Sequence, residues 1–142
     1  MTVRARGFTL IEIMVVVVIL AILGTLVAPQ ILGRIDEARV TKAKNDLRLY
    51  ESALDLYRMD NFRYPTTDQG LDALIKKPND ANLKNWRPDG YVKQLVKDPW
   101  GHDYVYVAPG TSGQPYDLMT LGADGQVGGQ GTDADISLRD VK

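Results

Sequence analysis

From Phe8 to Val27 apolar positions run almost without a break, with Thr9, Glu12, Gly24 and Thr25 as the interruptions. About 20 consecutive apolar residues are what a bilayer-spanning helix needs. Further on, the apolar positions thin to a stripe: Ile31, Ile35, Ala38, Ala43, Leu47, Tyr50, Leu54 and Tyr57, spaced three to five apart. Arg34, Asp36, Glu37, Arg39, Lys42, Lys44, Asp46 and Arg48 occupy mostly the other positions. This spacing predicts one long helix from about Phe8 to Met59, apolar all round in its first half and amphipathic in its second. Pro29 removes a backbone donor and is expected to interrupt the helix, with Gly24 and Gly33 weakening the same region. A simple kink at the boundary and a segment able to unwind are both compatible with that pattern.

The rest of the chain is punctuated by turn residues. Asp60 to Pro65 ends the long helix. Thr66 or Thr67 then caps a short helix predicted over Asp68 to Lys76, with Leu71, Leu74 and Ile75 on its buried face. Pro78 to Gly90 reads as a loop fastened to the core by Trp86, Tyr91, Val92 and Leu95. Asp98-Pro99-Trp100-Gly101 reads as a turn. Strands are predicted at Tyr104 to Val107, Tyr116 to Leu121 and Ile136 to Leu138, the first two joined by the loop Pro109 to Pro115. The fold class is therefore α+β: a long helix packed on a small antiparallel sheet.

Glu12 changes the picture of the apolar run. A charge at the centre of a membrane helix costs about 2.5–3.5 kcal/mol on insertion scales, so it usually marks a function. Arg4 and Arg6 precede the run and favour a cytoplasmic N-terminus. A cleaved secretory signal fits poorly, because the run is too long and no small-x-small site directly follows it. A plain single-pass anchor fits the length but leaves Glu12 without a role.

Composition narrows the classes further. The net charge is −1, with 17 Lys+Arg against 18 Asp+Glu, so no nucleic-acid partner is implied. The absence of cysteine excludes a disulfide scaffold, and the single histidine, His102, argues against a zinc site or a serine triad. His102 beside Asp103 lacks a nucleophile at recognisable spacing and reads as a surface turn residue. The basic residues of the long helix are interspersed with acids and read as a solvated or salt-bridged face. No active site is evident, so the chain is not read as an enzyme.

Gly7-Phe8-Thr9-Leu10-Ile11-Glu12 resembles the processing motif of type IV pilins and pseudopilins. The resemblance implies cleavage by a prepilin peptidase between Gly7 and Phe8, N-methylation of Phe8 and retention of the apolar helix. Glu12 of one subunit would then approach the new amine of a neighbour's Phe8, each charge offsetting the cost of burying the other. Three further stretches, Tyr64-Pro65-Thr66-Thr67-Asp68-Gln69-Gly70-Leu71, Asp98-Pro99-Trp100-Gly101 and Leu121-Gly122-Ala123-Asp124-Gly125, are similar to the major pseudopilins of type II secretion systems, in order along nearly the whole chain. The lack of cysteine agrees with this, since many type IV pilins close a C-terminal loop with a disulfide.

The segment Leu121 to Ile136, LGADGQVGGQGTDADI, combines glycines with Asp124, Asp133 and Asp135. Hard oxygen ligands on a flexible loop suit calcium better than magnesium. The run lacks the Gly-Lys-Ser/Thr of a phosphate loop and the spacing of an EF-hand, and a lone nonapeptide-like copy cannot form a β-helix. On composition alone a solvated acidic loop and a calcium site are equally good accounts. The resemblance favours calcium, and implies Asp124, Asp133 and Asp135 as side-chain ligands with the carbonyls of Leu121 and Val127.

The expected layout is a leader at 1–7, a transmembrane and assembly helix at 8–28 and a periplasmic globular domain at 29–142. The resemblance implies a structural subunit in the inner membrane that polymerises into a helical homopolymer. Its partners would be minor pseudopilins, the inner-membrane assembly platform and prepilin peptidase, and the fibre would drive export of folded proteins. A surface type IV pilin and a membrane-anchored calcium-dependent binding module stand as alternatives.

Overall fold

A computed structural model describes residues 7–141, except for the side chains of 26–32. Arg4, Arg6 and the leader before Gly7 lie outside the described residues. One α-helix, α1, is assigned over Leu10–Asn61. Its backbone is helical at Pro29, so the single long helix expected from about Phe8 to Met59 is present and the proline does not interrupt its assignment. The chain divides into two units, Met1–Glu37 and Ala38–Lys142.

In the first unit the described apolar side chains of α1 stand open on every face, from Leu10 through Leu23. In the second unit α1 supplies one wall of the core. Ala43, Leu47, Tyr50, Ala53, Leu54 and Tyr57 are buried, following the expected stripe. Ile35 and Ala38, also expected on that stripe, are exposed, so burial begins only near Val40. The helix stops at Asn61 because Phe62 takes a left-handed conformation (φ 62°) and its N–H bonds the Arg58 carbonyl at 2.7 Å. This is the helix-ending geometry usually given to glycine. A bulky residue there carries about 1–2 kcal/mol of strain.

The short helix expected at Asp68 to Lys76 is instead a turn followed by one 3₁₀ turn, Leu71–Leu74. Thr66 does act as its start: its N–H donates to Gln69 Oε1 at 3.1 Å and its Oγ1 accepts from Gln69 N at 3.3 Å. Gly70, at φ 57° and ψ −164°, then breaks the helical path. Ala73 is buried where Ile75 was expected, and Ile75 is half-buried.

Three strands follow, β1 (Val105–Val107), β2 (Asp117–Thr120) and β3 (Ile136–Ser137). They form an antiparallel sheet in the order β1-β2-β3, with Tyr106 opposite Leu118 and Thr120 opposite Ile136. Each strand is shorter than expected, while the α+β class and the strand order along the chain hold.

Tyrosines knit the second half of α1, the sheet and the loops together. The Tyr50 and Tyr104 rings meet edge to face at 5.4 Å, and Tyr64 meets Tyr116 at 4.8 Å. Tyr104 Oη donates to Asp46 Oδ2 at 2.9 Å and Tyr106 Oη to the Pro65 carbonyl at 2.8 Å. Burial, then the Asp46 carboxylate, hold the Tyr104 phenol protonated far above its ordinary range. Tyr50 Oη accepts from Val96 N at 2.8 Å and donates to Val96 O at 3.1 Å, standing in for a neighbouring strand along the loop after Tyr91. Tyr57 Oη, by contrast, is buried with no hydrogen-bond partner among the described residues. Tyr50→Phe is therefore expected to cost about 1–3 kcal/mol, because it orphans two backbone groups. Tyr57→Phe, which removes an unsatisfied hydroxyl, is expected to be neutral or stabilising. Urea unfolding of both variants checks the contrast, and equal losses would refute it.

Candidate functional sites

The first candidate site opens α1. Thr9 precedes the first helical residue. Its N–H donates to Glu12 Oε2 at 2.9 Å, its hydroxyl to the same oxygen at 3.0 Å, and Glu12 N–H donates back to Thr9 Oγ1 at 3.3 Å. This reciprocal pair is a capping box, which satisfies backbone donors that helix geometry leaves without partners. Glu12 thus has a role inside its own chain that sequence reasoning missed, although Thr-x-x-Glu is the signature for it. Gly7 and Phe8 precede the cap and are exposed.

The second is the glycine-rich segment after β2. It folds back on itself: Ala123 N–H bonds the Thr132 carbonyl at 2.9 Å and Asp135 N–H bonds the Gly128 carbonyl at 3.2 Å. Two glycines make this closeness possible. A Cβ on Gly129 would lie 2.3 Å from the Asp133 carbonyl oxygen, and one on Gly122 would lie 2.7 Å from the same atom. Asp124 is exposed and accepts from Gln126 N at 2.9 Å. Asp133 ends a 3₁₀ turn over Gly131–Asp133. Asp135 Oδ2 accepts from Gly128 N at 3.0 Å, while its Oδ1 is buried with no partner among the described residues. Val127 is fully out in solvent. Among the described residues no three His, Cys, Asp or Glu side chains gather closely enough to hold a metal on their own. Any cation here would need backbone carbonyls as well.

Two buried aspartates secure the surroundings. Asp98, 4% exposed, accepts from Trp100 N at 3.0 Å and His102 N at 2.8 Å through Oδ1, and from the Thr120 hydroxyl through Oδ2. It organises the expected Asp98–Gly101 turn and ties it to the end of β2. His102, expected as a surface turn residue, follows that turn half-exposed, and its Nδ1 lies 3.1 Å from the Gly122 carbonyl. Asp103 pairs instead with Lys97 at 3.5 Å.

Asp117 on β2 accepts from Thr111 N and Thr111 Oγ1, both at 2.7 Å, and pairs with Arg139. The Thr111 hydroxyl and N–H, then Arg139, hold its carboxyl below the ordinary value of 3.8. A depressed folded-state pKa gives stability that is complete above the unfolded value and lost as pH falls through the folded one. Asp117→Asn should therefore flatten the fall in melting temperature below about pH 4. An unchanged acid limb would show the contact contributes nothing.

A family model described as type II secretion system (T2SS), protein G, matches residues 30–139. A second, described as a prokaryotic N-terminal methylation motif, matches residues 3–28. The chain belongs to the type II secretion system protein G family. The type II secretion system core protein G of Pseudomonas aeruginosa is 60% identical over 134 residues, covering 94% of each chain. That of Vibrio cholerae is 56% identical, covering 94% of this chain and 90% of the relative. The crystal structure of the major pseudopilin from the type 2 secretion system of enterohaemorrhagic Escherichia coli superposes with a TM-score of 0.64 at 44% identity, covering 75% of this chain and 90% of that one. The family and the methylation motif together mark a membrane-anchored periplasmic protein. Among the described residues no helix is long and apolar enough to cross a membrane. The span expected at 8–28 runs into positions whose side chains lie outside the description.

Proposed function

We propose that this chain is the major pseudopilin of a type II secretion system. It is held in the inner membrane by α1, cleaved between Gly7 and Phe8 by a prepilin peptidase and methylated on Phe8. It then polymerises with itself, with minor pseudopilins and the assembly platform as partners, into a periplasmic fibre that drives folded proteins across the outer membrane. The observation that carries this is the pairing of a methylation motif over 3–28 with the protein G match over 30–139 in one chain. The exposed apolar first half of α1 supports it, because such a surface needs cover from lipid before assembly and from neighbouring helices after it.

The glycine-rich loop is proposed to bind calcium through Asp124, Asp133 and Asp135 and the carbonyls of Leu121 and Val127. The donor set suits a hard cation, and the buried, unpartnered Asp135 Oδ1 is an acceptor in want of one. When bound, calcium would serve as a structural tie, taking the place a disulfide has in a cysteine-containing domain.

The mass of the mature N-terminus tests the central claim. Protein purified from producing cells is expected to begin at a methylated Phe8. An intact Met1 would overturn the assignment as a polymerising pseudopilin and leave a membrane-anchored binding module in its place.

A further inference from the structure

We infer that His102 is a positioning residue for the calcium loop, an assignment that rests on the calcium site proposed above. Its backbone is fixed first. The buried Asp98 carboxylate accepts from His102 N at 2.8 Å, and Asp98 N–H donates to the His102 carbonyl at 2.9 Å. Asp98 is itself anchored to Thr120 at the end of β2. The imidazole therefore projects from a braced turn.

That ring touches the loop at two points. Nδ1 lies 3.1 Å from the Gly122 carbonyl, which can only accept, so in this contact Nδ1 is the donor. The Nε2 and Cε1 edge packs under Gly125, where an added Cβ would lie 3.1 Å and 3.2 Å from those atoms. Gly125 sits at φ 66°, so a side chain there would be strained as well as crowded. Between these contacts lies Asp124, and one residue before them lies the Leu121 carbonyl.

Gly122 is also where the two ligand-bearing stretches meet. On one side it is held by His102, and on the other it packs against the Asp133 backbone, with no room for a side chain between. A hydrogen bond to Gly122 thus sets the early donors, Leu121 and Asp124, against the late ones, Asp133 and Asp135. Groups that orient metal ligands without touching the metal typically change affinity by about 10–100-fold when removed.

The test uses the full chain, metal-free, in detergent. Calcium affinity is measured by titration calorimetry, and melting temperature is measured in excess chelator. His102→Ala is expected to weaken calcium binding by about tenfold or more. His102→Asn keeps an N–H near the position of Nδ1 and is expected to stay within about threefold of wild type. Equal calcium affinity in wild type and His102→Ala would overturn the inference. So would a loss in His102→Ala that His102→Asn fails to recover, since that would mark simple packing. A wild-type chain that takes up no calcium would overturn the calcium site itself, and is told apart because it needs no variant.

Discussion

Glu12→Ala is expected to leave the protein in the membrane and abolish fibre assembly. Removing a charge from an apolar helix eases insertion, by about 2.5–3.5 kcal/mol where the position is central. Assembly is another matter. Cleavage at Gly7 would create a cationic amine at Phe8, four residues from Glu12, in a fibre core with no water to solvate it. Without the carboxylate that amine is buried unpaired, which is strongly destabilising. The capping box supplies a control. Glu12→Gln keeps an oxygen that can accept from Thr9 N–H, as Glu12 Oε2 does at 2.9 Å, but carries no charge. If charge pairing matters, Gln fails as Ala does. If the cap alone matters, Gln assembles. Membrane fractionation with recovery of sheared fibres reads both outcomes, and normal fibres from Glu12→Ala would refute the pairing.

Chelation should lower the melting temperature of the periplasmic unit by about ten degrees. A ligand that binds only the folded state at 100 times its Kd adds about 2.7 kcal/mol. For a domain of about 100 residues each kcal/mol moves Tm by about 4 °C. Asp135→Ala is expected to melt at the same temperature with calcium as with chelator, because it removes the carboxylate whose Oδ1 is otherwise buried and unpartnered. A wild-type melting curve indifferent to chelator would sink the claim.

What could be read from the chain divides by the range of the interaction. The core face of α1 from Ala43 to Tyr57 was legible because helix periodicity is local. The same periodicity overreached at Ile35 and Ala38, since a stripe shows which face is apolar but not where the partner surface stops. The short helix shrank because Gly70 adopts a positive φ, a conformation that glycine permits but that the surrounding fold selects. Asp124, Asp133 and Asp135 were visible by type, but only the fold shows that Asp135 Oδ1 is buried with no partner among the described residues. His102 escaped because its partner is a backbone carbonyl 20 residues later, and carbonyls leave no mark in a sequence.

The order in which the core closes has a kinetic consequence. Arg48 on α1 donates to the Val141 carbonyl at 2.6 Å across 93 residues, and β3 is the last of the three strands in chain order. A domain whose wall comes early and whose closing strand comes late must wait for that strand before non-local contacts can offset the entropy of looping. The α1 tyrosines Tyr50 and Tyr57 are therefore expected to find their full cover only once the late strand has paired, which makes the closing of the core, and not the forming of the helix, the slow event.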